Sequence, residues 1–435
     1  MRRGMSRRKS CLRSLGGPSL MLMLLLGGAW QPGVAAAASD ASSTKADATT
    51  DWPVVISRLR QQTYEQPGLA SVRHQLAIAY NNYGVSLGNE GKWSQAAEQL
   101  EEAMRLDEGN AEFRNNLGTM YLNQAQLAYQ HHQATEALGL LEKSLALHST
   151  SAPAYALRGE IEYQRQKLKE ARAAWQRSLE LDPVQPELKR RLEQVTQELP
   201  VESKFERSTQ AYFDLRYEEQ IERSTGFDLR DALLEARREV GSDFAYWPKQ
   251  KIVVLIYSAA SFKALRQETP DWVAGQFDGK IRVPLPSAQL NPATVRQILF
   301  HEYTHALIHD LANDKCPIWL NEGLAEYEGR TQSPGSLALL MKASASQQLF
   351  PMEELSNHIS TALRAEEVGL AYQQSYSIVA YLVNRYGFWR IRHLLKRFGD
   401  GELWQSALSD ELHVKLSRLS ANWHEWLPEL LKTAQ

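Results

Sequence analysis

Residues 301–327 read HEYTHALIHDLANDKCPIWLNEGLAEY, and this stretch predicts the fold of the C-terminal half of the chain. His301 and His305 stand four positions apart in a run with helical apolar spacing, so both imidazoles lie on one helix face. After a short loop, Glu322 and Glu326 are again four positions apart on a second helix. The sequence therefore predicts two helices that bring two histidines and two glutamates together.

This pattern indicates a metal site of the catalytic type, which has three protein ligands and one open position. His301 and His305 are two candidate ligands, and Glu322 is the candidate third. Glu302 follows a ligand by one position, so it would contact a water on the ion without binding the ion. Glu326, one turn beyond Glu322, would accept the outer N–H of a ligating histidine. The alternative is a pair of helices with ordinary polar residues, but two buried acids beside two histidines are costly unless a cation is present.

The first 38 residues are predicted to be an export signal, since a basic block without acids precedes the apolar run Leu20–Leu26 and a stretch of small residues. An uncleaved anchor is the alternative, and the Sec and twin-arginine routes both stay open. The mature chain is expected in the periplasm or another extracytoplasmic compartment, with no stable membrane span. Loss of six Lys and Arg residues would take the formal net charge from −2 to −8, which argues against a nucleic-acid partner. Residues 39–51 are predicted to be a disordered linker.

An internal repeat precedes the histidine motif. In each copy a glycine is followed, 12, 16, 19 and 22 positions later, by residues that alternate between small and large. After Gly84 these residues are Ala96, Leu100, Ala103 and Leu106. After Gly159 they are Ala171, Trp175, Ser178 and Leu181. A middle copy starts at Gly118 and fits if about seven extra residues lie around 125–133, which would leave His131 and His132 at the surface. The small residues would let paired helices pack closely.

The repeat pattern resembles the tetratricopeptide repeat family over Leu76 to Pro186. The resemblance implies an all-α array, predicted over residues 52–200, whose concave face binds peptides or proteins. A spacer or a dimer contact is the alternative role.

Beyond Pro200 the pattern changes, and residues 201–435 are predicted to form a separable second domain. Strands are expected over 211–217 and 251–258, and Asp278-Gly279 predicts a hairpin. From Pro292 onward nearly all of the sequence is helical in pattern. Strands followed by helices indicate an α+β fold.

The motifs H-E-x-x-H and W-L-N-E-G-L-A-E-Y make the domain similar to the gluzincin metallopeptidases, the thermolysin-like group, and more closely to exported peptidase MA-like proteins. The resemblance covers roughly residues 205–426. It implies one zinc ion per chain, with the ligands His301, His305 and Glu322. It also implies Glu302 as general base, Glu326 as an acid behind the ligands, and Asn321 as the residue preceding the third ligand.

Two further assignments follow from the resemblance. Gluzincins pair an edge strand with the extended substrate backbone, and Gly275, Gln276 and Phe277 occupy that part of the sequence. The alternative is a hairpin that only completes the sheet. Tyr376, and after it Tyr372, is the candidate donor to the oxyanion, with aromatic core packing as the alternative.

The sequence therefore predicts an all-α tetratricopeptide-repeat array followed by an α+β zincin domain with a helical C-terminal part. Its predicted function is zinc-dependent hydrolysis of peptide bonds in a peptide or protein substrate, with the repeats recruiting that substrate or another protein. The alternatives are a non-enzymatic envelope scaffold, in which the zincin domain is a binding module, and hydrolysis of an amide in a cell-wall peptide.

Overall fold

A computed structural model describes residues 50–218, 221, 223–265, 275–285, 291–361 and 364–433. The predicted signal at residues 1–38 and most of the predicted linker lie outside these residues. The described chain forms a helical array followed by a domain with a small sheet and many helices. The predicted fold class is therefore confirmed.

The array consists of eight helices joined by short turns. They are α1 (Trp52–Glu65), α2 (Ala70–Asn89), α3 (Trp93–Leu106), α4 (Ala111–Gln130), α5 (Ala134–Leu147), α6 (Ala152–Gln164), α7 (Leu168–Leu181) and α8 (Pro186–Glu202). A Cβ on Gly84 would lie 2.7 Å from Cγ of Leu100 and 3.0 Å from the carbonyl oxygen of Ala96. Glycine is therefore required where α2 crosses α3, as the repeat pattern predicts.

The extra residues of the middle repeat extend α4 beyond its glycine, so that twelve residues of the helix follow Gly118, whereas five residues of α2 follow Gly84. Ala137, Leu141 and Ser144 take the buried positions that the offsets predict once seven residues are added, and the Ser144 hydroxyl donates to the Gly118 carbonyl at 2.7 Å. The turn after this extended end reaches the second domain. His132 is not a free surface residue there, because its Nε2 lies 3.2 Å from Oδ1 of Asp310.

The second domain begins with a five-stranded sheet of order β1-β2-β3-β5-β4. The strands are β1 (Glu206–Thr209), β2 (Phe213–Tyr217), β3 (Ile252–Ser258), β4 (Gln276–Phe277) and β5 (Ile281–Leu285). Strands β2, β3 and β5 are parallel, and both edge strands are antiparallel to their neighbours. The predicted strands and the Asp278-Gly279 hairpin are present, whereas the polar strand β1 was not predicted.

Helices cover the sheet and form the C-terminal part. They are α9 (Arg223–Phe244), α10 (Ala259–Leu265), α11 (Pro292–Ala312), α12 (Ile318–Gln332), α13 (Ala338–Ala345), α14 (Leu355–Thr361), α15 (Ala365–Tyr386), α16 (Phe388–Gly399), α17 (Trp404–Leu412) and α18 (Leu416–Thr433). A single core joins the sheet to these helices, with Val254, Leu299, Leu320 and Leu395 fully buried. No described helix has the length and apolarity needed to cross a membrane.

The two parts of the chain share buried charges across the boundary that the sequence predicts at Pro200. Pro200 lies inside α8, whose Glu198 and Glu202 are 3.3 Å and 2.7 Å from the guanidinium of Arg282 on β5. All three side chains are almost fully buried. Removing one partner of a buried ion pair costs roughly 3–5 kcal/mol. A chain that starts at residue 201 would lose Glu198, which argues against the separability that the sequence predicts.

One further buried acid on α12, Glu328, lies near two carboxylates of α9. Glu328 is 1% exposed, and its Oε1 has no hydrogen-bond partner within the described ranges. Burial, together with the nearby carboxylates of Asp243 and Glu239, raises the pKa of Glu328 to about 8. The folded state therefore holds this proton more tightly than the unfolded state. The protonated form therefore stabilises the folded state. This contribution is complete below pH 4.5, the pKa of the group in the unfolded chain, and it is lost as the pH rises through about 8, the pKa in the folded chain.

We predict that Glu328→Gln raises the melting temperature at pH 8.5, because a neutral amide replaces a carboxyl group that ionises there at a cost. About 1 kcal/mol of relief gives a shift of roughly 2–4 °C. The difference from wild type should disappear near pH 4.5. Thermal unfolding at both pH values measures it, with the exposed Glu193→Gln as control. A variant that is less stable than wild type at pH 8.5 would contradict the prediction.

Candidate metal centre

Helix α11 is held at both ends, which fixes the position of its centre. The Asn291 side chain accepts a hydrogen bond from the Ala293 amide at 3.0 Å, and Pro292 begins the helix. Asn313 ends it in the left-handed conformation, with φ of 48°. Between these ends the helix packs into the core, where His301, Glu302 and His305 are no more than 1% exposed. The centre of α11 is therefore shielded from bulk water.

The ends of three side chains converge between α11 and α12. Nε2 of His301 lies 3.6 Å from Oε2 of Glu322, and Nε2 of His305 lies 3.5 Å from the same oxygen. One ligand atom from each residue falls within 4.8 Å of the others, and no other such group occurs in the described part of the chain. The three residues that the sequence predicts as metal ligands are thus brought together, and this group could hold a metal ion.

Neighbouring side chains orient both imidazoles. Nδ1 of His305 lies 3.0 Å from Oδ1 of Asn321, and Nδ1 of His301 lies 3.6 Å from Oε1 of Glu326. These contacts leave both Nε2 atoms facing Glu322, and neither Nε2 has a hydrogen-bond partner among the residues described. A buried imidazole nitrogen whose lone pair accepts no hydrogen bond is suited to bind a metal ion. Asn321 and Glu326 therefore stand where the sequence predicts supporting residues.

Sequence analysis did not identify Arg330, which completes this support. Its Nε donates to Oε2 of Glu326 at 2.9 Å, so it fixes the carboxylate that faces His301. Arg330 follows Glu326 by four positions on α12, and this helical spacing of opposite charges was the available signal.

Burial changes the protonation of the whole group. It lowers the pKa of His301 to about 3, with a further contribution from Arg330, and it lowers the pKa of His305 well below the usual value. Burial also raises the pKa of Glu302 and that of Glu322 well above the usual value, and a neighbouring carboxylate adds to each shift. The imidazoles are therefore neutral, as metal ligands must be. A divalent cation would reverse the penalty on the buried carboxylates.

Two glycines on α12 allow the helices around the cluster to approach. A Cβ on Gly329 would lie 3.1 Å from the carbonyl oxygen of Gln297 and 3.5 Å from Cβ of His301. A Cβ on Gly323 would lie 2.7 Å from the carbonyl oxygen of Ser375 on α15. Because α12 carries no side chain at these contacts, it lies close enough to α11 for Glu322 to reach both histidines.

The general-base candidate, Glu302, lies under the β4–β5 hairpin. Both of its carboxylate oxygens lack hydrogen-bond partners within the described segments. A Cβ on Gly275 would lie 2.3 Å from Oε1 of Glu302, so a side chain at position 275 would displace the Glu302 carboxylate from its present position. Gln276 and Phe277 follow in the edge strand β4 and are 4% and 7% exposed. The three residues predicted to bind substrate therefore begin directly against Glu302.

The two candidate tyrosines on α15 have different surroundings. Tyr376, the first choice from the sequence, contacts Arg330, whose guanidinium carbon lies 4.6 Å from the centre of the tyrosine ring. Its ring also lies 6.3 Å from that of Tyr327. The hydroxyl of Tyr372 instead interacts with Glu322 and acts to lower the pKa of that carboxyl group. Tyr372 is therefore the tyrosine nearer to the candidate ligands.

Two known families match this chain, one in the helical array and one in the second domain. Residues 243–429 match the Peptidase MA superfamily, and residues 122–186 match the tetratricopeptide repeat. No curated protein matches the chain. The second domain is thus similar to the Peptidase MA superfamily, and the array is similar to the tetratricopeptide repeat, which is typical of protein-interaction modules.

Solved structures with a similar region include the first tetratricopeptide repeat domain of Spaghetti (RPAP3) bound to the HSP90 peptide SRMEEVD. They also include the first such domain of human RPAP3, determined by NMR. Sequence identities are 25% and 24%, and each match covers 29% of this chain and 94% of the other. Both TM-scores are 0.22, so neither likeness supports an argument about this chain.

We predict that the metal-free protein binds one equivalent of a divalent transition-metal ion, with Co²⁺ as the spectroscopic probe. His305→Ala and Glu322→Ala should each abolish tight binding, because three ligands are the minimum for a closed site. Asn321→Ala should weaken affinity by roughly 10–100-fold, as loss of an orienting partner does. His309→Ala, one turn further along α11, is the matched control and should bind as wild type. Stoichiometric binding by Glu322→Ala would remove Glu322 from the ligand set.

Proposed function

We propose that this protein is a zinc-dependent peptidase that acts after export, with its repeats binding a protein partner or the substrate itself. One observation carries the proposal. Two buried neutral imidazoles face one buried carboxylate, and a further carboxylate, Glu302, lies beside them without a hydrogen-bond partner in the described ranges. This donor set suits a metal ion that has an open position for water or substrate.

His301, His305 and Glu322 would hold the ion. Two neutral nitrogens and one carboxylate match the ligands of catalytic zinc sites, and they leave the ion with net positive charge. The chemistry that zinc supplies in such a site is Lewis acidity, which polarises a carbonyl group and makes water more acidic. The match of residues 243–429 to the Peptidase MA superfamily supports this assignment.

Glu302 would act as the general base. It follows His301 directly, so its carboxylate points about 100° away around the helix and does not compete as a ligand. The carboxylate receives a proton from the attacking water, holds it, and returns it to the leaving amine.

Tyr372 replaces Tyr376 as our proposed donor to the oxyanion of the substrate. Its hydroxyl interacts with Glu322, so it lies beside the candidate metal centre, whereas Tyr376 packs on Arg330. A phenol aimed at the developing negative charge stabilises the transition state more than the ground state.

The substrate would lie along β4, which is an edge strand of the described sheet. Extended peptides add to such edges through main-chain hydrogen bonds, and this gives affinity without strong side-chain selection. Gly275 begins the strand against Glu302, so a peptide paired there would pass the general base. Export is proposed only from the sequence, where residues 1–38 are predicted to be an export signal.

We predict that Glu302→Gln keeps its metal and its fold but loses hydrolysis of a peptide library by at least about 10²-fold, the lower range for general-base catalysis. The amide has the size of the carboxylate but cannot take the proton. The exposed Glu425→Gln on α18 makes the same chemical change away from the cluster, so it is the control and should retain activity. Cleavage of cell-wall peptides instead of the library would indicate the amide-hydrolase alternative. Equal hydrolysis by wild type and Glu302→Gln would contradict the mechanism, and no hydrolysis by wild type would favour a scaffold.

We predict that Tyr372→Phe lowers kcat by roughly 10–100-fold with metal content unchanged, because loss of one oxyanion donor costs about that much or more. Tyr376→Phe removes the same hydroxyl one turn along α15 and should keep kcat within about 3-fold of wild type, in line with the small effects typical of changes away from the reacting groups. Steady-state kinetics on one cleaved peptide distinguishes them. The opposite order of effects would restore Tyr376 as the donor.

A further inference from the structure

Two basic side chains are buried where the array meets the sheet. Arg282 on β5 and Lys280, which precedes β5, are both fully buried. The Arg282 guanidinium pairs with Glu202 at 2.7 Å and with Glu198 at 3.3 Å. It also donates a hydrogen bond to the Tyr163 hydroxyl at 2.8 Å. A buried charge is tolerated only when it is paired and hydrogen-bonded, so these partners hold Arg282 in place.

The array supplies these partners. Tyr163 lies on α6, and both glutamates lie on α8. The neighbouring cation is held in the same way, because Lys280 donates to the Gln166 side chain at 2.7 Å and its Nζ lies 3.5 Å from the centre of the Tyr163 ring. The start of β5 is therefore attached to the array by charge, hydrogen bonds and a ring contact.

The turn of the β4–β5 hairpin also rests on the array. Gln164, at the end of α6, donates to the Asp278 carbonyl at 3.3 Å. The next residue, Gly279, has φ of 88°, and a Cβ there would lie 2.3 Å from the Gln164 Oε1. Gly279 is thus required both by the turn and by the side chain packed on it. Gln164 fixes the end of the hairpin that is distant from Glu302.

The other end of the hairpin covers the general-base candidate. The Gly275 backbone lies so close to Glu302 that a Cβ there would be 2.3 Å from Oε1 of Glu302, and the ring centre of Phe277 lies 5.4 Å from that of His309 on the same helix. Only four positions separate Gly275 from Gly279. The array holds the turn that follows β4, and α11 holds the start of the strand. This short segment therefore forms a rigid connection between the array and α11.

We propose that the repeat array positions the active site, and that Gln164 and the buried pair Arg282–Glu202 hold the 275–280 hairpin so that Gly275 confines the Glu302 carboxylate. The expected effect of this positioning on catalysis rests on the proposed function. The array is then a part of the catalytic frame as well as a binding surface. Gln164 is a positioning residue, since it acts on Glu302 only through the hairpin.

The test variant is Gln164→Ala in the full chain. Its side chain is half-buried, and its other partner, Glu160, keeps an ion pair with Arg191 at 3.3 Å, so folding should be retained. We expect faster hydrogen exchange in residues 275–285, together with a fall in kcat of roughly 10–100-fold at unchanged KM and metal content, since small misplacements of a catalytic group cost about that much. General destabilisation would not separate kcat from KM.

Gln130→Ala is the matched control. Gln130 lines the same groove between the array and the second domain from α4, and it has no hydrogen bond to the hairpin among the described residues. It should leave exchange and kcat as in wild type. The proposal is overturned if exchange in 275–285 is the same in Gln164→Ala and Gln130→Ala, whatever the activity. If wild type cleaves no peptide, the proposed function fails, whereas faster exchange in Gln164→Ala alone would still show that the array holds the hairpin.

Discussion

The structure depends on burying four ionisable side chains in one place. His301, Glu302 and His305 on α11 and Glu322 on α12 are almost completely removed from water. No lysine or arginine among the described residues forms an ion pair with Glu302 or Glu322, and burying an unpaired carboxylate costs several kcal/mol. A bound divalent cation converts this cost into a favourable interaction. The glycines between α11, α12 and α15, and the residues behind the imidazoles, all serve to bring these groups within reach of one ion.

A second set of buried charges ties the array to this centre. Arg282 is fully buried among three carboxylates and two tyrosine hydroxyls, partly from α6 and α8 and partly from the sheet. Such a network is weak as a source of net stability but strong as a geometric constraint, because removing any partner leaves a charge unpaired. It fixes β5, and through the hairpin it fixes the strand that lies over Glu302. A groove of about 930 Å³ lies between the two parts, so anything bound there touches both.

The parts of the structure that could be predicted from the sequence are those set by local periodicity. The spacing of His301 and His305, and of Glu322 and Glu326, gives one helical face each, and Gly84 and Gly159 mark close helix crossings because their large partners follow at fixed offsets. The choice between Tyr372 and Tyr376 could not be made in this way. Both lie on one stripe of α15, and only the packing of α12 against α15 distinguishes them, with Tyr372 beside Glu322 and Tyr376 on Arg330. The role of Arg282 in joining the two parts could not be predicted either, since its glutamate partners on α8 lie 80 or more positions earlier in the chain.

The most direct test of this account is a crystal structure of the protein grown with zinc, with anomalous data collected on both sides of the zinc absorption edge. The account predicts one anomalous peak per chain, with Nε2 of His301 and Nε2 of His305 about 2.0–2.1 Å away and a carboxylate oxygen of Glu322 at about 2.0–2.2 Å. It also predicts that Glu302 lies outside the ligand set, beneath Gly275. A cluster without an anomalous peak, or an ion bound by Glu302 in place of Glu322, would contradict it.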